Sequence, residues 1–120
     1  ALLAITHHLL EKELNTASPL IAQRILYEAQ KRVLTPNLLR RDFWWMSFDA
    51  SLNNGTINNW NPWVNSNWLL AVMLLEKDPE RKRQAVEKIV CSLDLFLNSY
   101  PEDGGCDEGP AYWGRAGGSL

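Results

Sequence analysis

The stretch Asn58-Asn59-Trp60-Asn61-Pro62-Trp63-Val64-Asn65-Ser66-Asn67-Trp68 holds five asparagines, three tryptophans and no charge in eleven residues, a composition that ordinary core building does not explain. Asparagine offers both a donor and an acceptor. Tryptophan offers a broad apolar face with one N–H, so the two together suit a ligand covered in hydroxyls, such as a sugar. A second dense stretch, Asp103-Gly104-Gly105-Cys106-Asp107-Glu108-Gly109-Pro110-Ala111-Tyr112-Trp113-Gly114-Arg115, lies downstream across a long helical span. The two read as halves of one site.

In the second stretch Gly104, Gly105, Gly109 and Pro110 fix a loop of unusual backbone shape, and such loops commonly position functional side chains. Its carboxylates Asp103, Asp107 and Glu108 could bind a metal or act as acid and base. A calcium loop needs a regular alternation of oxygen ligands that is absent here, so no metal and no cofactor is expected. Glu108 better suits an acceptor that holds the loop or a neighbouring tyrosine or arginine. Tyr112, at a loop-to-helix junction, can present its hydroxyl to a cleft, where a nearby guanidinium would favour a phenolate. His7 and His8 are adjacent on a helix and point about 100° apart, so they do not chelate one metal and read as surface or cap-adjacent residues.

Helices must position these residues. Leu2, Leu3, Ile5, Leu9, Leu10 and Leu14 mark a first helix ending near Asn15. Ser18-Pro19 then reads as an N-cap followed by proline at the first helical position. Ala22, Ile25, Leu26, Ala29 and Val33 carry the next helix, which should stop before Thr35-Pro36. Between Asn37 and Ile57 the period is lost. There Phe43-Trp44-Trp45-Met46 is either a packing wedge or a sugar platform, and Asn53-Asn54-Gly55 is a turn signal. Pro62 can sit at a helix N-terminus, and the following helix is apolar nearly all round from Trp68 to Leu75, which predicts burial between neighbours. Asp78-Pro79 repeats the cap-then-proline device. Val86, Ile89, Val90, Leu93, Phe96 and Leu97 then give the cleanest helical stripe, ending near Tyr100-Pro101. The class is all-α, built of helical hairpins with short proline-capped connections, as stacked hairpins of an (α/α) toroid would be.

At 120 residues the chain is one all-α segment or part of a larger domain. It opens on a helical pattern at Ala1 and stops at Gly117-Gly118-Ser119-Leu120, directly after its most informative motif, so more chain is expected beyond Leu120. Twelve basic against 14 acidic residues give a formal charge of −2, which leaves no polybasic footprint for nucleic acid or an anionic membrane. No apolar run approaches the length of a bilayer span. Cys91 and Cys106, with no CxxC and no regular framework, read as two free thiols.

Together the two dense stretches resemble the heparinase II/III-like polysaccharide lyases, and they are similar to the alginate and oligoalginate lyases of the (α/α) toroid type. The resemblance runs from about Thr56 to Leu120 and rests on the pair of motifs at their separation. It implies that the segment is an incomplete part of a toroid lyase domain, inactive on its own. It also implies cleavage of a uronic-acid-containing polysaccharide, a glycosaminoglycan or an alginate, by β-elimination: the carboxylate is neutralised, a base takes the C5 proton and an acid protonates the leaving oxygen. Tyr112 matches the family's catalytic tyrosine. Asn58 or Asn59 matches the group that neutralises the uronate, with Asn61 a close third. Trp60, Trp63, Trp113 and Arg115 are then expected to hold the acidic polysaccharide with Asn61, and Glu108 to support it. The chemistry agrees, because C5–H is a weak acid until preorganised amide donors relieve its carboxylate.

Two other readings stand beside this one. A glycoside hydrolase on a similar helical toroid would use Asp107 and Glu108, although adjacent carboxylates in one loop fit poorly as a pair flanking a bond. A non-catalytic glycan-binding or structural helical domain would use the tryptophans as platforms or core. Exposed apolar helix faces would in any case seek the remainder of the chain or a second copy.

Overall fold

A computed structural model describes residues 1–106 and 108–120. Among the described residues all regular structure is helical, as the pattern predicts, and no helix is long and apolar enough to cross a membrane. The chain divides into two compact units, residues 1–39 with 68–86 and residues 40–67 with 87–120.

In the first unit α1 (Leu2–Ala17) packs against α2 (Pro19–Ala29) across a joint of one residue, Ser18, whose backbone is extended. Pro19 occupies the first turn of α2 as expected, but Ser18 makes no side-chain cap bond. The helical path does not stop before Thr35-Pro36. It relaxes into a π-helical turn at Gln30–Leu34 and resumes as α3 (Thr35–Leu39), with the Thr35 N–H bonded five residues back to the Gln30 carbonyl. Proline lacks an N–H and its ring crowds the carbonyl four residues earlier, so a wider turn just before Pro36 lets the helix continue.

Ala4, Ala22, Leu34, Trp68, Val72 and Leu75 are buried in this unit. His7 is also buried, with no hydrogen bond to its Nε2 among the described residues, while His8 is exposed. The surface placement expected of both histidines thus fails for His7, which sits one turn from Ala4 on the inward face. The helix predicted to be buried all round leaves Leu70 and Met73 exposed. At its end Glu76 accepts from the Lys77 and Asp78 N–H groups and from Arg81 Nε. Burial opposes the charge on Glu76, but these bonds outweigh it and hold the carboxyl below its usual range. Asp78 caps the next helix as predicted, its Oδ1 accepting from Glu80 N–H at 2.9 Å and Arg81 N–H at 3.2 Å.

The second unit combines residues 60–67 of α4 (Trp60–Leu75), residues 87–99 of α5 (Pro79–Ser99) and α6 (Pro110–Ala116), with 3-10 turns at Trp44–Met46, Ala50–Leu52 and Gly117–Ser119. Asn54 and Gly55, both at positive φ, make the expected turn. The α5 stripe is rotated from the one predicted. Ile89, Ser92 and Phe96 are buried, whereas Val90 and Leu97 are half exposed and Cys91 is exposed. Ser92 sets this angle, because its hydroxyl donates to the Met46 carbonyl at 2.8 Å and accepts from Asn65 Nδ2 at 2.8 Å. Asn61 Nδ2 completes the network on Trp45 O (3.0 Å), Ser92 O (3.1 Å) and Ser92 Oγ (3.1 Å).

Removing one member of such a network leaves the others buried without partners. Asn61→Ala is therefore expected to lower the stability of the chain by about 3 kcal/mol. The check is a fall in the urea midpoint with an unchanged slope.

Candidate functional site

The asparagine-rich stretch proves to be largely structural. Asn61 and Asn65 are 1% and 0% exposed and belong to the buried network, so Asn61, expected to bind substrate, has no surface to offer a sugar. Asn67 Nδ2 donates back to the Trp63 carbonyl at 2.7 Å within its own helix. Core building thus accounts for residues whose density had suggested ligand binding. The polarity serves to pair α4 with α5 and with the Trp44–Met46 turn.

Asn58 and Asn59 lie at the entrance to α4 and differ in what they do. Asn58 Oδ1 accepts from the Trp60 N–H at 3.1 Å, which satisfies one of the orphan donors of the first turn and fixes the amide plane. The Asn58 Nδ2 group makes no hydrogen bond among the described residues. Asn59 is 2% exposed and turned toward the second motif: its backbone N–H donates to Glu108 Oε2 at 3.1 Å and its Nδ2 donates to the same oxygen. Glu108 therefore acts as the holding acceptor anticipated, across 49 residues of sequence, with Asn59 as its partner instead of a tyrosine or arginine.

Next to Glu108, Gly109 has φ 84° and ψ 178°, a conformation essentially confined to glycine, and it turns the chain into α6 with Pro110 in the first turn. That turn presents Tyr112, 41% exposed, and Trp113, 59% exposed. The Arg115 guanidinium lies 5.0 Å from the Trp63 ring centroid and 5.7 Å from that of Tyr112. Trp63 is 5.2 Å from Trp60, which is 5.7 Å from Trp44 in an edge-on pair. The motifs are thus joined twice, at Glu108–Asn59 and at Arg115–Trp63. Tyr112 and Arg115 share an open face with Trp60 and Trp63.

Two hollows adjoin this face. One of about 70 Å³ is lined by Asn58, Asn59, Cys106, Glu108 and Tyr100, and is too small for a sugar ring. The other, of about 250 Å³, is lined by Asp103, Gly104, Cys106, Pro110 and Trp113. Cys106 and Cys91 are free thiols. Among the described residues no three histidine, cysteine or carboxylate side chains come together as a metal site. Asp107, the other carboxylate considered for hydrolysis, lies outside the described residues.

The sequence leaves Phe43-Trp44-Trp45-Met46 as either a packing wedge or a sugar platform, without singling out Trp44. The structure divides that cluster. Met46 is 0% exposed and Trp45 stacks on Phe43 at 5.9 Å, whereas Trp44 is 41% exposed beside Trp60. The signal available was the 3-10 spacing, which turns adjacent tryptophans to different sides.

No protein-family model and no curated protein sequence matches this chain.

Two expected results follow from these contacts. Glu108→Ala should release the Asn59 side-chain amide, seen as a shift of its NH₂ resonances toward those of a solvated asparagine. Stability should fall by about 1–2 kcal/mol for loss of a charge-assisted pair, while Glu108→Gln, which keeps an acceptor, should lose less. The second concerns Lys88, whose Nζ donates to the Arg40 carbonyl. Burial first, and then the charge of Arg41, lower its pKa from 10.5 to about 8. The unfolded chain therefore binds the extra proton between these values, so stability rises with pH through the window. Lys88→Met should remove that slope and be the more stable at pH 7, by about 1 kcal/mol after solvent screening, as urea midpoints across the window will show.

Proposed function

We propose that this chain is part of an (α/α) toroid polysaccharide lyase that cleaves a uronic-acid-containing polysaccharide by β-elimination. The observation that carries the proposal is the double junction of the two motifs, Glu108 on Asn59 and Arg115 on Trp63, which puts the tyrosine-bearing helix beside the asparagine-capped start of α4. The resemblance in sequence requires such a meeting, and nothing in local helix formation would produce it.

The division of labour between the asparagines follows from their bonds. Asn59 is held by Glu108, whereas Asn58 has its oxygen fixed by the Trp60 N–H and its Nδ2 without a hydrogen-bond partner among the described residues. Asn58 is the donor to the uronate carboxylate, and Asn59 positions it. Hydrogen bonding to that carboxylate draws charge from C5 and acidifies its proton. Tyr112 takes the C5 proton as phenolate, the C5–H pair becomes the C4–C5 double bond, and the C4–O pair leaves with the oxygen. The same hydroxyl then protonates that oxygen. Tyr112 is assigned both the base and the acid role, as in some members of the family this chain resembles, and His7 and His8 lie in neither motif. Arg115, Trp63 and Trp60 hold the sugar on the open face, with Trp113 at its border.

The exposed tryptophans favour a second reading, a glycan-binding domain without catalysis. In both readings the apolar residues left in water on the first unit, among them Leu2 at 77% and Leu20 at 72%, are surfaces for further chain or a second copy. The test is to incubate the full-length protein with glycosaminoglycans and alginates and follow the ultraviolet absorbance of an unsaturated uronate. A rise that depends on Tyr112 supports the lyase. Sugar binding with no product leaves the binding domain, and saturated products with new reducing ends indicate hydrolysis.

A further inference from the structure

We propose that Trp44 forms, with Trp60, a stacking platform for the saccharide residues beside the one being cleaved, so that the site takes an acidic oligosaccharide instead of a single uronate. The inference rests on the glycan reading above.

Trp44 is not a side chain left over by a loose loop. Its 3-10 turn is anchored on both following residues: the Trp45 carbonyl accepts from Asn61 Nδ2 and the Met46 carbonyl from Ser92 Oγ, all within the buried network. Ser47 ends the turn in a left-handed conformation. Trp45 and Met46 are drawn to the interior side, and Trp44 is left 41% exposed with Trp60 at 44%. Keeping two large apolar rings in water forgoes burial that would stabilise the chain. Holding them on a rigid mount lowers the entropy lost when a ligand stacks on them.

The occupant follows from what borders the rings. Trp44 meets Trp60 at 5.7 Å with planes 60° apart, and Trp60 meets Trp63 at 5.2 Å and 52°, so each ring turns its face from the last, as successive residues of a twisted saccharide chain do, and the row ends at Arg115. Apolar faces that lead to a cation suit the C–H faces of sugars that carry carboxylate or sulfate groups. Single-stranded nucleic acid would also stack on such rings, but the net charge of −2 argues against it.

The test measures binding apart from turnover. In the Tyr112→Phe background, calorimetric titration of the full-length protein with uronate di-, tetra- and hexasaccharides is compared for Trp44, Trp44→Ala and Trp44→Phe, with oligothymidylate as control. Trp44→Ala should weaken the tetra- and hexasaccharides about tenfold, leave the disaccharide unchanged, and be largely rescued by Trp44→Phe. Length-dependent loss supports the platform whether or not the parent protein, with Tyr112 intact, forms an unsaturated product; a parent that forms none removes the lyase reading alone. Equal loss at every length with Trp44→Phe no better, no loss at all, or tighter binding of oligothymidylate than of the saccharides overturns the platform.

Discussion

Tyr112→Phe is expected to abolish formation of the unsaturated uronate, with kcat falling about 10²–10⁴-fold, the usual range for loss of a positioned acid or base. The substitution removes one oxygen atom from an exposed side chain at the start of α6, where its ring packs near Arg115. Phenylalanine keeps the ring and its contact with the guanidinium. Oligosaccharide affinity and the unfolding midpoint should therefore stay close to those of the parent, and the loss should appear in kcat alone. A variant that retains more than a tenth of the turnover would remove Tyr112 from the chemistry. Single-turnover measurement at saturating substrate separates this result from slow product release.

The second large effect is expected at Asn58. Asn58→Ala should lower kcat by about 10²–10³-fold, as when one preorganised donor to a developing charge is lost. It also removes the acceptor for the Trp60 N–H and should destabilise the helix start by about 1 kcal/mol. Asn58→Asp separates the two effects. The carboxylate keeps the acceptor, so the fold should hold, but it has no donor and places a negative charge against the uronate, so activity should fall at least as far. If Asn59→Ala instead proves the more damaging to kcat at equal stability, the roles of the two asparagines are exchanged.

Helices were the legible part of this chain. Asp78-Pro79 and the proline at the start of α2 mark real helix starts, because capping and proline chemistry act within a few residues. The π-helical turn before Pro36 was not legible, since a proline ends a helix or distorts it according to what the neighbouring turns can absorb. Side-chain roles were read less well. Asn61 and Asn65 look like ligand-binding residues in one dimension. They are core because Ser92, one buried polar residue on α5, lies opposite them, and such pairing across elements leaves no periodic trace. The Val90 and Leu97 positions of the α5 stripe gave way to Ser92 for the same reason. Glu108 was readable as a holding residue from its loop, but its partner was not, because the pair is separated by 49 positions.

That separation has a bearing on how the protein is made. The asparagine motif leaves the ribosome well before Glu108 does, and until then the carboxylate that holds Asn59 is absent. A nascent chain stalled or cut in α5 would carry the tryptophan face without the latch or the tyrosine. The Glu108–Asn59 pair can therefore form only once synthesis has passed α5, and Tyr112 follows Glu108 by four residues.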